Sequence, residues 1–434
     1  MEMKMTARSA ALAVLLKCEN EGGYANIALD SVLDRSGLDR ADRALASELV
    51  FGVIERKITL DHYISSLSST KLSKLEPRVL SLLRLGVYQL AFLDRVPSYA
   101  AVNESVSLAP KRARGFVNAV LRSFMRLEHL PEPPADPIDS LSVRYSYPRE
   151  LCELFCAEFG KERTESLFAA MNERPPVNLR VNTVKSSREA VIEYLKGEGF
   201  CAVPAPVSPV GITVEKGAAA KLEGFKNGEF FVQDEASQIC TAALSAQAGE
   251  LLIDACSAPG SKSFGAAIDM KNKGRIISCD LHSSKLSLIK SGAKRLGVDI
   301  IEVREQDARR PMEEFIGRAD RVLCDVPCSG FGVIAKKPEI RYKDVKPTED
   351  LPKIQYDILK NCASYVRSGG TLVYSTCTVL DRENGANIRR FLAENRDFYA
   401  EDFCVGDRHF DALTTLYPDT DKTDGFFVAK LKRK

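Results

Sequence analysis

From residue 249 onward, five β-prone apolar runs recur: LLIDAC (251–256), RIISCD (275–280), IIEVREQD (300–307), ADRVLCDV (319–326) and TLVYSTCT (371–378). Helical stretches such as SSKLSLIKSGAKRLG and LPKIQYDILKNCASYV separate them. Strands alternating with helices predict a parallel sheet covered on both faces, an α/β Rossmann-like arrangement. Such sheets bind ligands outside the carboxyl ends of their strands. Asp254, Asp280, Asp307 and Asp325 each stand at or near one of those ends. The last residues, GFFVAKLKRK, follow a turn-rich PDTDKTDG and are expected to form an antiparallel edge strand.

The rest of the chain reads differently. From Thr6 to about Leu127, apolar residues recur at helical spacing, which predicts an all-α bundle. Asp39 and Asp42 look like starting signals for the helix carrying Leu45, Leu49, Val53 and Ile54. Pro131 to Pro137, PEPPADP, cannot continue a helix and is the natural linker. Beyond it a small α+β unit is expected: LCELFCAEFGKERTESLFAAMN helical, VNLRVNT a strand, SREAVIEYLKGEGF helical and GITVEK a strand. A chain of 434 residues is long for one core. The expected division is 1–130 helical, 131–140 linker, 141–235 a small α+β insert and 236–434 the α/β domain.

The 12 cysteines lack the spacing of a disulfide framework, which suggests a reducing, cytoplasmic setting. The apolar stretch Ala10 to Leu16 has no signal-cleavage pattern, and no run reaches the roughly 18 residues a membrane span needs. Nothing in the sequence argues for assembly, so a monomer is expected. A net charge of only +2 means that nucleic-acid affinity would have to come from local patches. Lys111, Arg112, Arg114, Arg122 and Arg126 form one such cluster, readable equally as a solvated helix face or as a phosphate-contacting patch.

The first turn after a strand, DACSAPGSK (254–262), has neither a dinucleotide-binding nor a Walker pattern. Its tight turn, Cys256, Ser257, Ala258, Pro259, Gly260, Ser261 and Lys262, still directs backbone N–H groups at a ligand on a helix N-terminus, fitting a carboxylate better than a pyrophosphate. Asp280 is placed to accept hydrogen bonds from ribose hydroxyls and Asp307 from an adenine amino group. One aspartate after a strand is commonly a helix cap, but a series of them points to S-adenosylmethionine. Asp325, Pro327 and Cys328 close the fourth run, with Gly330 and Gly332 expected to let the backbone pass close to a ligand. Cys377 closes the fifth. A lone cysteine is usually a small buried residue. Two at the ends of neighbouring strands suit methylation of carbon 5 of a pyrimidine, a poor nucleophile until a thiolate adds to carbon 6. From the residues alone either cysteine can be the attacker. A zinc site from Cys256, Cys279, Cys324 and Cys328 lacks paired C-x-x-C knuckles, so no metal is expected.

Several stretches resemble known families. DRADRALASELVFGVIERKITLDHYI, VPSYAAVNESVSLAP and GFVNAVLR are similar to NusB-type RNA-binding helical domains. RPPVNLRVNT and FFVQDEASQI resemble the RRM-like insert that precedes the catalytic domain of RNA cytosine-5 methyltransferases, and VPCSG and YSTCT resemble the paired motifs of the NOL1/NOP2/Sun family. That resemblance implies that Cys377 attacks, Cys328 assists release, Asp325 hydrogen-bonds the pyrimidine edge and Lys262 lies beside the ring. The domain order is similar to the RsmB (Fmu/Sun) type, which implies 16S ribosomal RNA as partner and supports the phosphate-contacting reading of the basic cluster. Ser257, Ser261 and Tyr342 depart from the family's usual alanine, glycine and tryptophan. A non-catalytic RNA-binding assembly factor and a methyltransferase acting on transfer RNA are the competing readings.

Overall fold

The computed structural model describes residues 5–21, 25–215 and 219–434. They divide into two compact units, one of residues 1–172 with 336–343, the other of 173–335 with 344–434.

The first unit is helical: α1 (Ala7–Glu21), α2 (Ala25–Leu33), α3 (Arg40–Glu55), α4 (Lys57–Leu67), α5 (Pro77–Phe92), α6 (Ser98–Leu108), α7 (Arg114–Met125), α8 (Pro137–Tyr145), α9 (Arg149–Phe159) and α10 (Lys161–Met171). Asp39 caps α3 as its position suggested, accepting the Asp42 N–H at 2.8 Å. Helix α5 is the hub, buried on every face from Leu82 to Gln89. It carries a guanidinium into that interior: Arg84 grips Asp61 with Nε at 2.7 Å and Nη2 at 2.8 Å, and Glu19 with Nη1 at 2.5 Å. A planar fork satisfied from two sides is how a charge survives in such a place.

The proline-dense stretch lies inside this unit and does not end it. Glu132 O meets His62 Nε2 at 2.8 Å, and Pro137 opens α8 under an Asp136 cap. Helix α8 then docks on α4: Thr59 Oγ1 donates to Val143 O at 2.6 Å and the Ile58 N–H to Ser146 Oγ at 2.9 Å. The stretch 151–172 is two helices, because Gly160 at φ 76° breaks it. Leu151, Phe155, Leu167 and Phe168 are buried, Phe168 stacks on Tyr147 with ring centroids 3.9 Å apart, and the compact helical unit runs on through residue 172. Residues 336–343 also belong here. Arg341 has no exposed surface and donates to Glu55 O at 2.7 Å, while the Tyr342 hydroxyl donates to Ile54 O at 2.6 Å.

The second unit opens with an antiparallel sheet of β1 (Val177–Val181), β2 (Ala202–Pro204), β3 (Gly211–Val214) and β4 (Phe230–Val232), in the order β2-β3-β1-β4, with α11 (Arg188–Gly197) between β1 and β2. After α12 (Glu223–Lys226) and α13 (Glu235–Ala243) comes the large sheet. Its strands are β5 (Leu251–Asp254), β6 (Arg275–Asp280), β7 (Ile301–Glu305), β8 (Ala319–Asp325) and β9 (Val366–Thr376). Helices α14 (Ser261–Asp269), α15 (Ser283–Leu296) and α16 (Leu351–Tyr365) connect them, and α17 (Gly385–Glu394) follows β9. The five strands pair in parallel in the order β9-β8-β5-β6-β7, with apolar clusters on both faces.

Four short strands then precede the C-terminal one: β10 (Phe398–Ala400), a hairpin of β11 (Phe403–Val405) with β12 (Arg408–Phe410), and β13 (Leu413–Leu416). The terminal strand, β14 (Phe426–Arg433), is antiparallel to β9 as expected, but it is not an edge. Strands β10 and β13 cover its outer side, and its residues through Leu431 are buried. Among the described residues no helix is long and apolar enough to cross a membrane.

Replacing one partner of a buried ion network leaves the others uncompensated. Arg84→Ala should therefore destabilise the helical unit by about 3–5 kcal/mol, read from urea titration, with a doubly substituted Glu19→Gln, Asp61→Asn background losing much less on the same change.

Candidate active site

The parallel register of β8 and β9 sets Asp325 opposite Ser375. Ser375 Oγ donates to Asp325 Oδ1 at 2.6 Å, and Lys262 Nζ, from the start of α14, pairs with Oδ2 at 2.6 Å. Lys262 also lies 5.2 Å from the centre of the Phe426 ring, contributed by β14. Burial pulls the Lys262 ammonium down, but the charge and hydrogen bond of Asp325 outweigh it and raise the group above its ordinary value. Past the two strand ends the chain brings Cys328 and Cys377 together, Sγ to Sγ at 2.9 Å, with the Cys377 N–H donating to Cys328 Sγ at 3.3 Å. The neighbouring Cys377 sulfur, then burial, then the charge of Glu383 push the Cys328 thiol well above its usual value.

Gly330 takes φ 80° as the turn requires. Gly332 serves a different purpose from the one its position suggested. A Cβ there would overlap the Gly425 carbonyl, and Gly332 O accepts the Gly425 N–H at 2.8 Å. The close approach is to the chain's own entry into β14, not to a ligand.

The turn between β5 and α14 holds Cys256, Ser257, Ala258, Pro259, Gly260, Ser261 and Lys262 together. Ser257 donates to Cys279 O through both N–H (2.7 Å) and Oγ (2.9 Å), tying the turn to β6. Gly260, at φ 109°, has no room for a side chain: a Cβ would meet the Phe264 ring at 2.5 Å. Helix α14 starts there with its first N–H groups unopposed by a capping side chain. Asp280 ends β6, and its Oδ1 accepts the His282 N–H at 2.9 Å. Asp307 follows β7 and is held low by Arg309, whose Nε and Nη2 reach its two oxygens at 3.0 and 2.8 Å. A glycine-pinched turn with acids beyond the next two strands fits a ligand that carries both a carboxylate and a ribose.

Several of the other cysteines are packed into the interior. Cys279, Cys324 and Cys362 are buried, and burial raises the Cys256 and Cys324 thiols. No group of histidine, cysteine or acid side chains suited to a metal occurs among the described residues. In the helical unit, Lys111, Arg112, Arg114, Arg122 and Arg126 are all exposed at and along α7. Arg112 pairs with Glu76 at 2.6 Å and Arg122 donates to Asn118 Oδ1 at 3.0 Å. Ser375, Phe426, Gln355, Glu383 and Asn384 were not singled out in the sequence. Only Ser375 had a signal, its place in the run that ends in Cys377.

Together these features define a class, a Rossmann-like methyltransferase domain joined to a NusB-like helical domain. Family models agree: the 16S rRNA methyltransferase RsmB/F model matches residues 241–432, the NusB family 5–126, and the ferredoxin-like domain of RsmF/B-type methyltransferases 147–221. The probable ribosomal RNA small subunit methyltransferase B of Bacillus subtilis is 38% identical over 99% of both chains, and the ribosomal RNA small subunit methyltransferase B of Escherichia coli O127:H6 is 34% identical over 91% of both. The solved structure of PH0851 aligns over the whole of both chains with a TM-score of 0.84 at 25% identity. The chain belongs to the RsmB/F family of S-adenosylmethionine-dependent 16S ribosomal RNA methyltransferases. It is an enzyme, which removes the non-catalytic assembly-factor reading.

Beneath this site lies Asp254, without exposed surface, accepting from Ser263 Oγ at 2.6 Å. Burial pushes its carboxyl up to about 7, against about 3.9 in an unfolded chain. Folding therefore favours its protonated form, and that contribution is complete below the unfolded value and lost as pH rises through about 7. Asp254→Asn is neutral throughout, so its stability relative to the parent should climb between about pH 4 and pH 7 and then level off. Chemical denaturation across that range checks it; parallel profiles would refute the buried acid.

Proposed function

We propose that this methyltransferase of small-subunit ribosomal RNA places its methyl group on carbon 5 of a cytosine in the 16S molecule while Cys377 is bonded to carbon 6. The contact between the two sulfurs carries the reading: two thiols 2.9 Å apart at adjacent strand ends serve neither packing nor metal binding as well as they serve addition and elimination. S-adenosylmethionine, when bound, supplies an electrophilic methyl group. The residues that would hold it are the turn from Cys256 to Lys262, with Asp280 toward the ribose and Asp307 toward the adenine.

Cys377 attacks carbon 6 as the thiolate, and the electron pair of the C5–C6 double bond moves to carbon 5, which then takes the methyl group. Loss of the carbon 5 proton to a solvent base returns a pair to the C5–C6 bond, and the sulfur–carbon bond breaks with its electrons on Cys377. Cys328, held protonated by its surroundings, donates toward the Cys377 sulfur and lowers the cost of the anion there. It acts again at elimination. Asp325, fixed by Ser375 and Lys262, offers the acceptor surface for the cytosine edge, and Lys262 sets the charge beside the ring. The exposed cations of α7 contact RNA phosphates.

Incubated with 16S RNA and labelled cofactor, Cys377→Ala should lose methyl transfer by about a thousandfold or more; undiminished C5 methylation eliminates it as nucleophile. Cys328→Ala should instead accumulate a covalent protein–RNA species, seen as a slower band, and turnover without such a band rules out the release role. Arg122→Ala and Arg126→Ala should each lower the slope of log affinity against log salt by about one while leaving methylation of bound RNA intact.

A further inference from the structure

Glu383 and Asn384, in and just after the turn Asp381–Glu383 that follows β9, have essentially no exposed surface. The Glu383 Oε2 atom accepts the Ser329 N–H at 2.9 Å and Gln355 Nε2 at 2.9 Å, and that same Gln355 nitrogen donates to Pro327 O at 3.0 Å. The residues on either side of Cys328 are thereby held by one carboxylate and its amide partner. Asn384 does the same for Cys377: its Oδ1 accepts from Thr376 Oγ1 at 2.5 Å and its Nδ2 donates to Thr378 O at 2.9 Å. A hydrogen bond between Ser329 Oγ and Thr378 Oγ1, 2.9 Å, links the two loops directly. From β9, the Tyr374 hydroxyl donates to Glu383 O at 2.6 Å and fixes the turn itself.

Stability does not require this arrangement. A carboxylate taken out of water is costly, and Glu383 Oε1 has no hydrogen-bond partner to offset it. An apolar side chain of similar volume would fill the space at lower cost. Buried polar groups that break the rules of core packing mark places where geometry is held for function. What is held here is the pair of backbone segments that carry the sulfurs.

We propose that Glu383 and Asn384 are the positioning residues of the cysteine pair, Glu383 setting the loop of Cys328 and Asn384 the loop of Cys377. The assignment rests on the covalent reading given above. Neither residue is a catalytic group, and each acts through the loop it holds. Because Glu383 controls the releasing cysteine and Asn384 the attacking one, their loss should differ in kind.

Glu383→Leu should lower kcat on the order of a hundredfold with unchanged affinity for S-adenosylmethionine by titration calorimetry, and should build up the covalent protein–RNA species as Cys328→Ala does. Glu383→Gln, whose single oxygen can still accept both hydrogen bonds, should recover at least about tenfold of that loss. Asn384→Ala should lose activity while forming less of the covalent species than the parent. Gln355→Met, acting from α16, should repeat the Glu383→Leu behaviour and stands in if that variant does not fold. Equal adduct levels in the Glu383 and Asn384 variants, or no gain in Glu383→Gln, would overturn the assignment. If Cys328→Ala accumulates adduct and neither Glu383→Leu nor Gln355→Met does, the positioning role alone falls. If Cys328→Ala accumulates none, the covalent reading falls and the assignment with it.

Discussion

The site depends on the parallel pairing of β8 with β9. Parallel neighbours end on the same side of a sheet, and the crossover that makes this possible here includes α16. Cys328 and Cys377 are 49 residues apart in sequence, and only this topology brings their loops together. An antiparallel pair would send them to opposite ends. Register matters as much, because successive side chains alternate faces and a slip of one residue would turn Ser375 away from Asp325. The hydrogen bond between them makes that register consequential, and through Asp325 it fixes Lys262 and hence the start of α14. The turn proposed to hold the cofactor and the two sulfurs are thus parts of one connected arrangement.

That connection works only because the charges are few and matched. Lys262 and Asp325 form an ion pair, Asp254 beneath them favours its neutral form, and the nearby Cys240 thiol is pushed up to about 12 by burial. A second carboxylate ionised beside Asp325 would compete for the single ammonium, and the rise at Asp254 includes the repulsion of Asp325. The hydroxyls of Ser263 and Ser278 give the buried acid a local partner chain without adding charge. Helix α5 handles the inverse problem, one cation and two carboxylates, with an arginine fork.

Much of this was legible in the sequence because strand ends carry their own signal. Five apolar runs, four of them with an acid at or near the end, pointed to the parallel sheet, and cysteines just past the fourth and near the end of the fifth pointed to the pair of thiols. The misreadings share a cause, namely that the deciding contact is distant in sequence. PEPPADP looked like a linker because prolines cannot continue a helix, and nothing local announces that α8 will dock on α4. The run ending the chain looked like an edge because β10 and β13 are too short to stand out. Gly332 was assigned to a ligand, when its partner is Gly425. Arg341, in a charged stretch remote in sequence from its partner, stacks 4.6 Å from the Tyr147 ring inside the helical unit. Glu383 and Asn384 are two polar residues in a polar turn, and only three-dimensional neighbours distinguish them from solvated ones.

Apart from the family resemblance, the residues left open which sulfur attacks, and the surroundings of the pair bear on that choice. A thiolate is favoured where hydrogen bonds and positive charge reach it, and disfavoured where burial and negative charge do. Cys328 receives one stabilising contact, the Cys377 N–H, but it is opposed by burial, by the adjacent sulfur and by the buried charge of Glu383. The net direction is toward the protonated thiol. A protonated Cys328 within 2.9 Å of Cys377 has its hydrogen to donate, and the acceptor at hand is the other sulfur. On the reading proposed above, Cys328 is then the donor that supports a thiolate on Cys377. The carboxylate that holds the Cys328 loop in place is thus also one of the groups that raise the Cys328 thiol.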